Sequence, residues 1–93
     1  MRLRWSDQAK ADLREIGRYI AQDDPRAARR WVEKLRERAR LAATQPRGGR
    51  IVPEYGREEI RETFLRSYRI VYEITPDAVM VLTVFEGHRR LRP

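Results

Sequence analysis

Between Tyr68 and Phe85 the chain spells two strands and the turn that joins them, and nothing else in the sequence restricts the fold as much. Tyr68, Ile70, Tyr72 and Ile74 alternate with Arg69, Val71 and Glu73. A period of two in β-branched and aromatic residues marks a strand with at least one buried face. Thr75-Pro76-Asp77-Ala78 reads as a turn, since Pro presets φ and Asp can bond its own backbone. Val79-Met80-Val81-Leu82-Thr83-Val84-Phe85 then runs apolar on both faces, as an interior strand covered from two sides does. Strands linked that tightly pair antiparallel.

The remaining segments supply cover for this hairpin. Arg2-Leu3-Arg4-Trp5 reads as a short opening strand that stops at Ser6-Asp7, an N-cap followed by an acid in the first turn. Ala9, Leu13, Ile16 and Ile20 then recur at helical spacing, flanked by Tyr19, while Lys10, Asp12, Arg14, Glu15 and Arg18 take the other sides. Asp24 suits the N-cap of a second helix and Pro25 its first position. That helix carries Ala28, Trp31, Leu35, Ala39 and Ala42 as its apolar stripe and closes at Thr44-Gln45-Pro46. The link between the helices is short, so they form an antiparallel helical hairpin. Arg47-Gly48-Gly49-Arg50 reads as a flexible turn, Ile51-Val52-Pro53-Glu54 as a short edge strand and Ile60 to Leu65 as a further strand. The expected class is α+β in one domain over residues 1–93, with an N-terminal strand and both helices on one face of a mostly antiparallel sheet completed by C-terminal strands.

Composition narrows the function. Cysteine is absent, and a lone histidine, His88, cannot build a zinc site, so neither a metal nor a cofactor is implied. No apolar run approaches the roughly 20 residues that span a bilayer, and no signal-peptide core opens the chain, so a cytoplasmic location is expected. The net charge is +7, almost all from arginine, with lysine only at Lys10 and Lys34. Such an excess points to an anionic partner: nucleic acid, an acidic protein or an anionic surface.

That order of elements, and several local words, resemble the ParE branch of the RelE/ParE superfamily of bacterial toxins. The words are Trp5, Ala9, Asp12, Leu13, Ile16 and Tyr19-Ile20, then Pro25 and Ala28, then Pro46, Gly49-Arg50 and Pro53-Glu54. Arg61-Glu62, Tyr68-Arg69-Ile70-Val71-Tyr72, Val84 and His88-Arg89-Arg90 complete the set. The resemblance implies a toxin of a type II toxin–antitoxin module, neutralised by a ParD-like antitoxin whose acidic C-terminal segment wraps it. ParE-type toxins inhibit DNA gyrase, whereas RelE-type toxins share the fold and cut messenger RNA in the ribosomal A site. Fold alone does not choose between them.

The chemistry bears on that choice. A RelE-type nuclease needs a group to activate the ribose hydroxyl, cations on the phosphate and an acid for the leaving oxygen. Arg61, Arg66, His88 and Arg89 are the residues that could do so, with the surface glutamates Glu62 and Glu86 as further proton carriers. RelE-like enzymes commonly place a tyrosine or histidine in an extension beyond the last strand, and no tyrosine follows His88. This favours inhibition of gyrase by binding, with no catalytic residue. His88 is then a structural histidine at a strand end, or a direct participant because only histidine titrates unperturbed near neutrality. Tyr68 and Tyr72 read as core or groove lining, and Trp31 and Trp5 as core. Arg61, Arg66, Arg69, His88, Arg89 and Arg90 are the candidates for contact with target or antitoxin. The five arginines either converge on the open sheet face or pair separately with Glu62, Glu73 and Glu86. A homologue that retains only antitoxin binding is a third reading. No recognition-helix motif is present, so sequence-specific DNA binding by the chain alone is not expected.

Overall fold

The computed structural model describes residues 1–87; His88 to Pro93 lie outside the described residues. The chain runs β1 (Arg2–Trp5), α1 (Asp7–Ala21), α2 (Pro25–Thr44), a 3-10 turn (Pro46–Gly48), β2 (Arg50–Ile51), β3 (Ile60–Leu65), β4 (Tyr68–Ile74) and β5 (Ala78–Glu86). The strands form one sheet in the order β1-β5-β4-β3-β2. β1 lies parallel to β5, and the other three pairings are antiparallel. Both helices cover one face, and the α+β architecture expected from the sequence is the one observed.

Local chemistry sets these boundaries. Ser6 joins sheet to helix: its N–H donates to the Val81 carbonyl at 3.0 Å, its hydroxyl donates to the Leu82 carbonyl at 2.8 Å, and the same oxygen accepts the Ala9 N–H that opens α1. Asp24 caps α2 through the Arg26 and Ala27 amides, with Pro25 at the first position, where a missing N–H is harmless. The two helices approach closely at Gly17, where an added Cβ would sit 3.2 Å from a Val32 methyl. Between helices and sheet lie Ala9, Leu13, Leu35, Ala39, Ile70, Val81 and Val84, continued by Ala43, Tyr72 and Val79. The α2 stripe therefore ends on Ala43, with Ala42 only half-buried, because α2 turns its last apolar contact toward Tyr72 and Val79.

β5 contains a slip. Val71 pairs with Thr83 but Tyr72 pairs with Val81, so Leu82 is an extra residue. The bulge shifts the phase of the strand, placing Val79, Val81 and Val84 against the helices and Leu82 and Phe85 on the opposite face. Asp12 reaches across from α1 to fix it, accepting the Thr83 hydroxyl at 2.5 Å and the Val84 N–H at 2.9 Å on one carboxylate oxygen.

Two segments depart from the sequence reading. Ile51-Val52-Pro53-Glu54 is not a strand; only Arg50–Ile51 pair with β3. Pro53 has no N–H for the ladder, and the Val52 carbonyl turns to accept the Tyr55 and Gly56 amides. Gly56 makes the bend at φ +64°. This turn lays Val52 and Tyr55 over Ile60, Val71, Leu82 and Phe85, so the face away from the helices has a small core of its own. Nor is the 47–50 stretch a loose turn, since a 3-10 turn occupies Pro46–Gly48 and side chains from β3 and β4 hold it.

Candidate functional site

The sheet places its arginines in different settings. Cross-strand pairing puts Arg61 opposite Tyr72 and Phe64 opposite Arg69, so Arg61 faces the helix side and Arg69 the other. They do not converge.

Arg69 lies 7% exposed within a cluster of carboxylates. Its Nη1 and Nη2 donate to the two oxygens of Glu54 at 3.0 and 3.1 Å, and its Nε donates to Glu62 at 2.7 Å. The guanidinium lies 5.2 Å from the Phe85 ring centroid. Glu54 first, and Glu62 after it, raise the Arg69 pKa further above its ordinary value. Glu62 is 1% exposed, which corrects its reading as a surface acid. It stands on β3 between Ile60 and Phe64 on a face closed by the 52–55 turn, and it is tolerated there because two cations meet it. Arg50 Nε approaches its second oxygen at 3.0 Å, off the hydrogen-bonding direction, so that contact is ionic only. Gly87 completes the packing, since a Cβ there would crowd the Ser67 carbonyl at 2.6 Å.

Arg61 acts as a brace. Its Nε donates to the Glu58 carbonyl at 2.7 Å and its Nη1 to the Arg47 and Gly49 carbonyls at 3.0 Å. Tyr72, 1% exposed, donates its hydroxyl to the Pro46 carbonyl at 2.7 Å. Burial raises the Tyr72 pKa, against a smaller opposing pull from Arg61. Gly49 is required because any Cβ would overlap the Tyr72 hydroxyl.

Arg66 is different. It occupies the first position of the two-residue β3–β4 turn, exposed, with φ +52°. Its guanidinium lies 5.8 Å from the centroid of Trp31, as does the Lys34 ammonium. Trp31 in turn meets Tyr68 edge to face at 6.0 Å. His88, Arg89 and Arg90 lie outside the described residues.

Two grooves flank α1, and they carry opposite charge. The one shared with α2 and β1, about 800 Å³, has Trp5, Leu13, Ala21 and Val32 in its floor and Lys10, Arg14, Arg18 and Arg36 around it. The one toward β4 and β5 sets Asp12, Glu15 and Glu86 around Ile16, Tyr19 and Tyr68, with Arg18, which lines both grooves, as its one cation among the described residues. Tyr19 is 72% exposed there, so it extends beyond the α1 stripe that it flanks in sequence. On the outer side of α2, Glu33 and Glu37 are taken up by Arg40 and Arg36, as the spacing predicts.

Comparison with known proteins decides the family. A family model described as the ParE toxin of the type II toxin-antitoxin system, parDE, matches residues 3–91. The chain belongs to the ParE toxin family. A Sinorhizobium fredii protein named "Putative toxin Y4kP" is 39% identical over 92 residues, covering 96% of this chain and 91% of that protein. A solved structure titled "Chromosomal ParDE TA system from P. aeruginosa" superposes with a TM-score of 0.77 at 20% identity, covering 92% of this chain and 95% of that one. The second likeness is one of fold. Within this ParE chain, sequence reasoning missed Glu54 and Arg50 as partners of the sheet-face charges. The available signal was alternation: Glu62 and Arg69 each stand two residues from apolar neighbours, Ile60 and Val71, that are buried on the same face.

Proposed function

We propose that this ParE-family toxin acts by binding, inhibiting DNA gyrase in the cytoplasm with no chemistry of its own. One observation carries this reading. Arg61, the strand arginine that a nuclease would direct at a phosphate, has its Nε and Nη1 engaged by the Glu58, Arg47 and Gly49 carbonyls, and the contact candidate Arg69 is engaged by Glu54 and Glu62. They offer a partner the surface that they hold, not a free cation. Arg66 is the member of the set with an exposed guanidinium outside any ion pair among the described residues. His88, Arg89 and Arg90, which lie outside the described residues, complete the set of proposed contact residues.

Neutralisation by an antitoxin has its own physical support. An amphipathic segment can bury an apolar stripe on Trp5, Leu13, Ala21 and Val32 while its acids meet Lys10, Arg14, Arg18 and Arg36. Ordering such a segment costs free energy that burial and opposite charge together offset, and complementary charge speeds the encounter. The groove on the other flank of α1 would repel the same segment through Asp12, Glu15 and Glu86. No helix among the described residues is long and apolar enough to cross a membrane.

The deciding experiment adds purified protein to gyrase with relaxed plasmid and ATP, and in parallel to programmed ribosomes carrying labelled message. Lost supercoiling or accumulated cleaved plasmid, with message intact, is the expected result. Cleavage of message in the ribosomal A site with normal supercoiling would overturn the proposal in favour of a ribosome-dependent endoribonuclease.

A further inference from the structure

The flank of α2 beside the β3–β4 turn carries a row of cations that the antitoxin reading leaves unused and of which the gyrase reading uses only Arg66. Arg30, Lys34 and Arg38 follow one another at intervals of four residues, which sets them on one side of the helix about 6 Å apart along its axis. Arg66 extends the row from the β3–β4 turn, because it and Lys34 stand over the same Trp31 ring, each 5.8 Å from its centroid. Among the described residues, no carboxylate lies within 4.0 Å of any of the four. The acids nearest in sequence, Glu33 and Glu37, are directed around the helix to Arg36 and Arg40. Like charges gathered without counter-charge repel one another, so something must hold them in place. Trp31 holds two by cation–π attraction, and the Phe64 carbonyl holds Arg38 at 2.5 Å.

The turn adds a second observation. The first position of a two-residue hairpin turn with positive φ is ordinarily glycine, which adopts that conformation without strain. Here it is Arg66 at φ +52°. A side chain placed where glycine would relax the backbone is a place to look for function, since strain of this kind gathers at binding sites. What the row could bind follows from its shape. It is the convex side of a helix with a single aromatic ring already bracketed by cations, unlike the apolar-floored groove beside α1. An amphipathic peptide finds little to bury there. A linear polyanion finds a ladder of charges at a pitch suited to successive phosphates of one strand.

We infer that Arg30, Lys34, Arg38 and Arg66 form a track for the phosphate backbone of duplex DNA, bound without regard to sequence. The contact is made by this chain itself and does not require gyrase, so its failure and that of the gyrase reading are separate results. The test is fluorescence anisotropy of a short labelled duplex titrated with the purified protein across a range of salt. Four phosphate contacts give a slope of log K against log salt between about −3 and −4, and each contact removed makes it shallower by about 0.9. Arg66→Gly is expected to remove one contact while leaving the melting temperature unchanged or higher, so that lost binding cannot be ascribed to lost fold. Arg30→Gln with Lys34→Gln removes about two. Arg2→Gln with Arg4→Gln, which neutralises two exposed cations on the far edge strand β1, leaves the slope as it was. The inference is overturned if the duplex is not bound at low salt, or if the β1 pair lowers the slope as much as the α2 pair, which would mean diffuse charge only. It is equally overturned if Arg66→Gly lowers the melting temperature markedly, or if single-stranded RNA or polyglutamate binds more tightly than the duplex with the same dependence on the α2 variants.

Discussion

The two faces of the sheet are buried by different means. The helix side is filled with aliphatic and aromatic groups, Leu35, Ile70, Tyr72, Val81 and Val84 among them. On the far side a single turn lies over Val71 and Ile60, and beside them Glu62 and Arg69 are buried almost as completely. An apolar face gains from every atom removed from water, without regard to direction. An ionic one gains only while each charge keeps its partner, and it can still be no better than an apolar replacement of the same shape. The helix side therefore supplies stability. The far side fixes where the 50–55 segment and β4 sit, at little net gain.

Breaking the far side one charge at a time should give the largest effect. Arg69→Met leaves Glu54 and Glu62 facing each other without their shared cation, and a loss of about 3–5 kcal/mol in chemical denaturation is expected. Arg69→Met combined with Glu62→Leu and Glu54→Leu should recover most of that loss; a triple variant as unstable as the single would show that the ionic cluster stabilises the fold outright. On the helix side Leu35→Ala should cost about 2–5 kcal/mol by opening a cavity, and no second polar change should restore it. Tyr72→Phe removes the bond to the Pro46 carbonyl and should cost about 1 kcal/mol. The same variant sharpens the comparison through pH. The folded pKa of Tyr72 lies above its ordinary 10.0, so the folded state holds the proton more tightly than the unfolded one. Its contribution is complete below pH 10 and declines as pH rises toward the folded pKa, and the wild type should lose stability there more steeply than Tyr72→Phe. Smallest of all, Arg40→Gln on the exposed surface of α2 should leave the denaturation midpoint almost unchanged, and any difference should shrink further in high salt.

The sequence made some of this plain and hid the rest for physical reasons. The β4–β5 hairpin, the Ser6 and Asp24 caps and Pro25 are local features whose determinants sit within a few residues of one another. The bulge at Leu82 was hidden because a run that is apolar on both faces carries no phase, and a slip within it leaves no trace in the pattern. Thr83 was the only irregularity, and its partner Asp12 lies 71 residues away. Glu62 read as a surface acid because its neutralising groups arrive from Arg50 and Arg69 on either side of it. Two-residue β2 was over-read as four because Val52 is apolar and buried, but buried by a turn. Of the candidate site, the positions of the arginines along the strands and turns could be read from the sequence, but their orientation could not. Whether a strand arginine points to solvent or braces a neighbouring loop depends on carbonyls that only the fold brings near.

One consequence of the topology concerns synthesis. β5 is the last of the described elements to leave the ribosome, yet it stands inside the sheet, with β1 on one side and β4 on the other. Until it emerges, β1 has no strand to pair with, Ser6 has no Val81 or Leu82 carbonyl, and Asp12 has no bulge to hold. Joining β1 to β5 closes a loop across most of the chain, a slow kind of step. A nascent or prematurely terminated chain therefore cannot close the sheet on which both helices pack, and the described fold forms only after translation has passed β5.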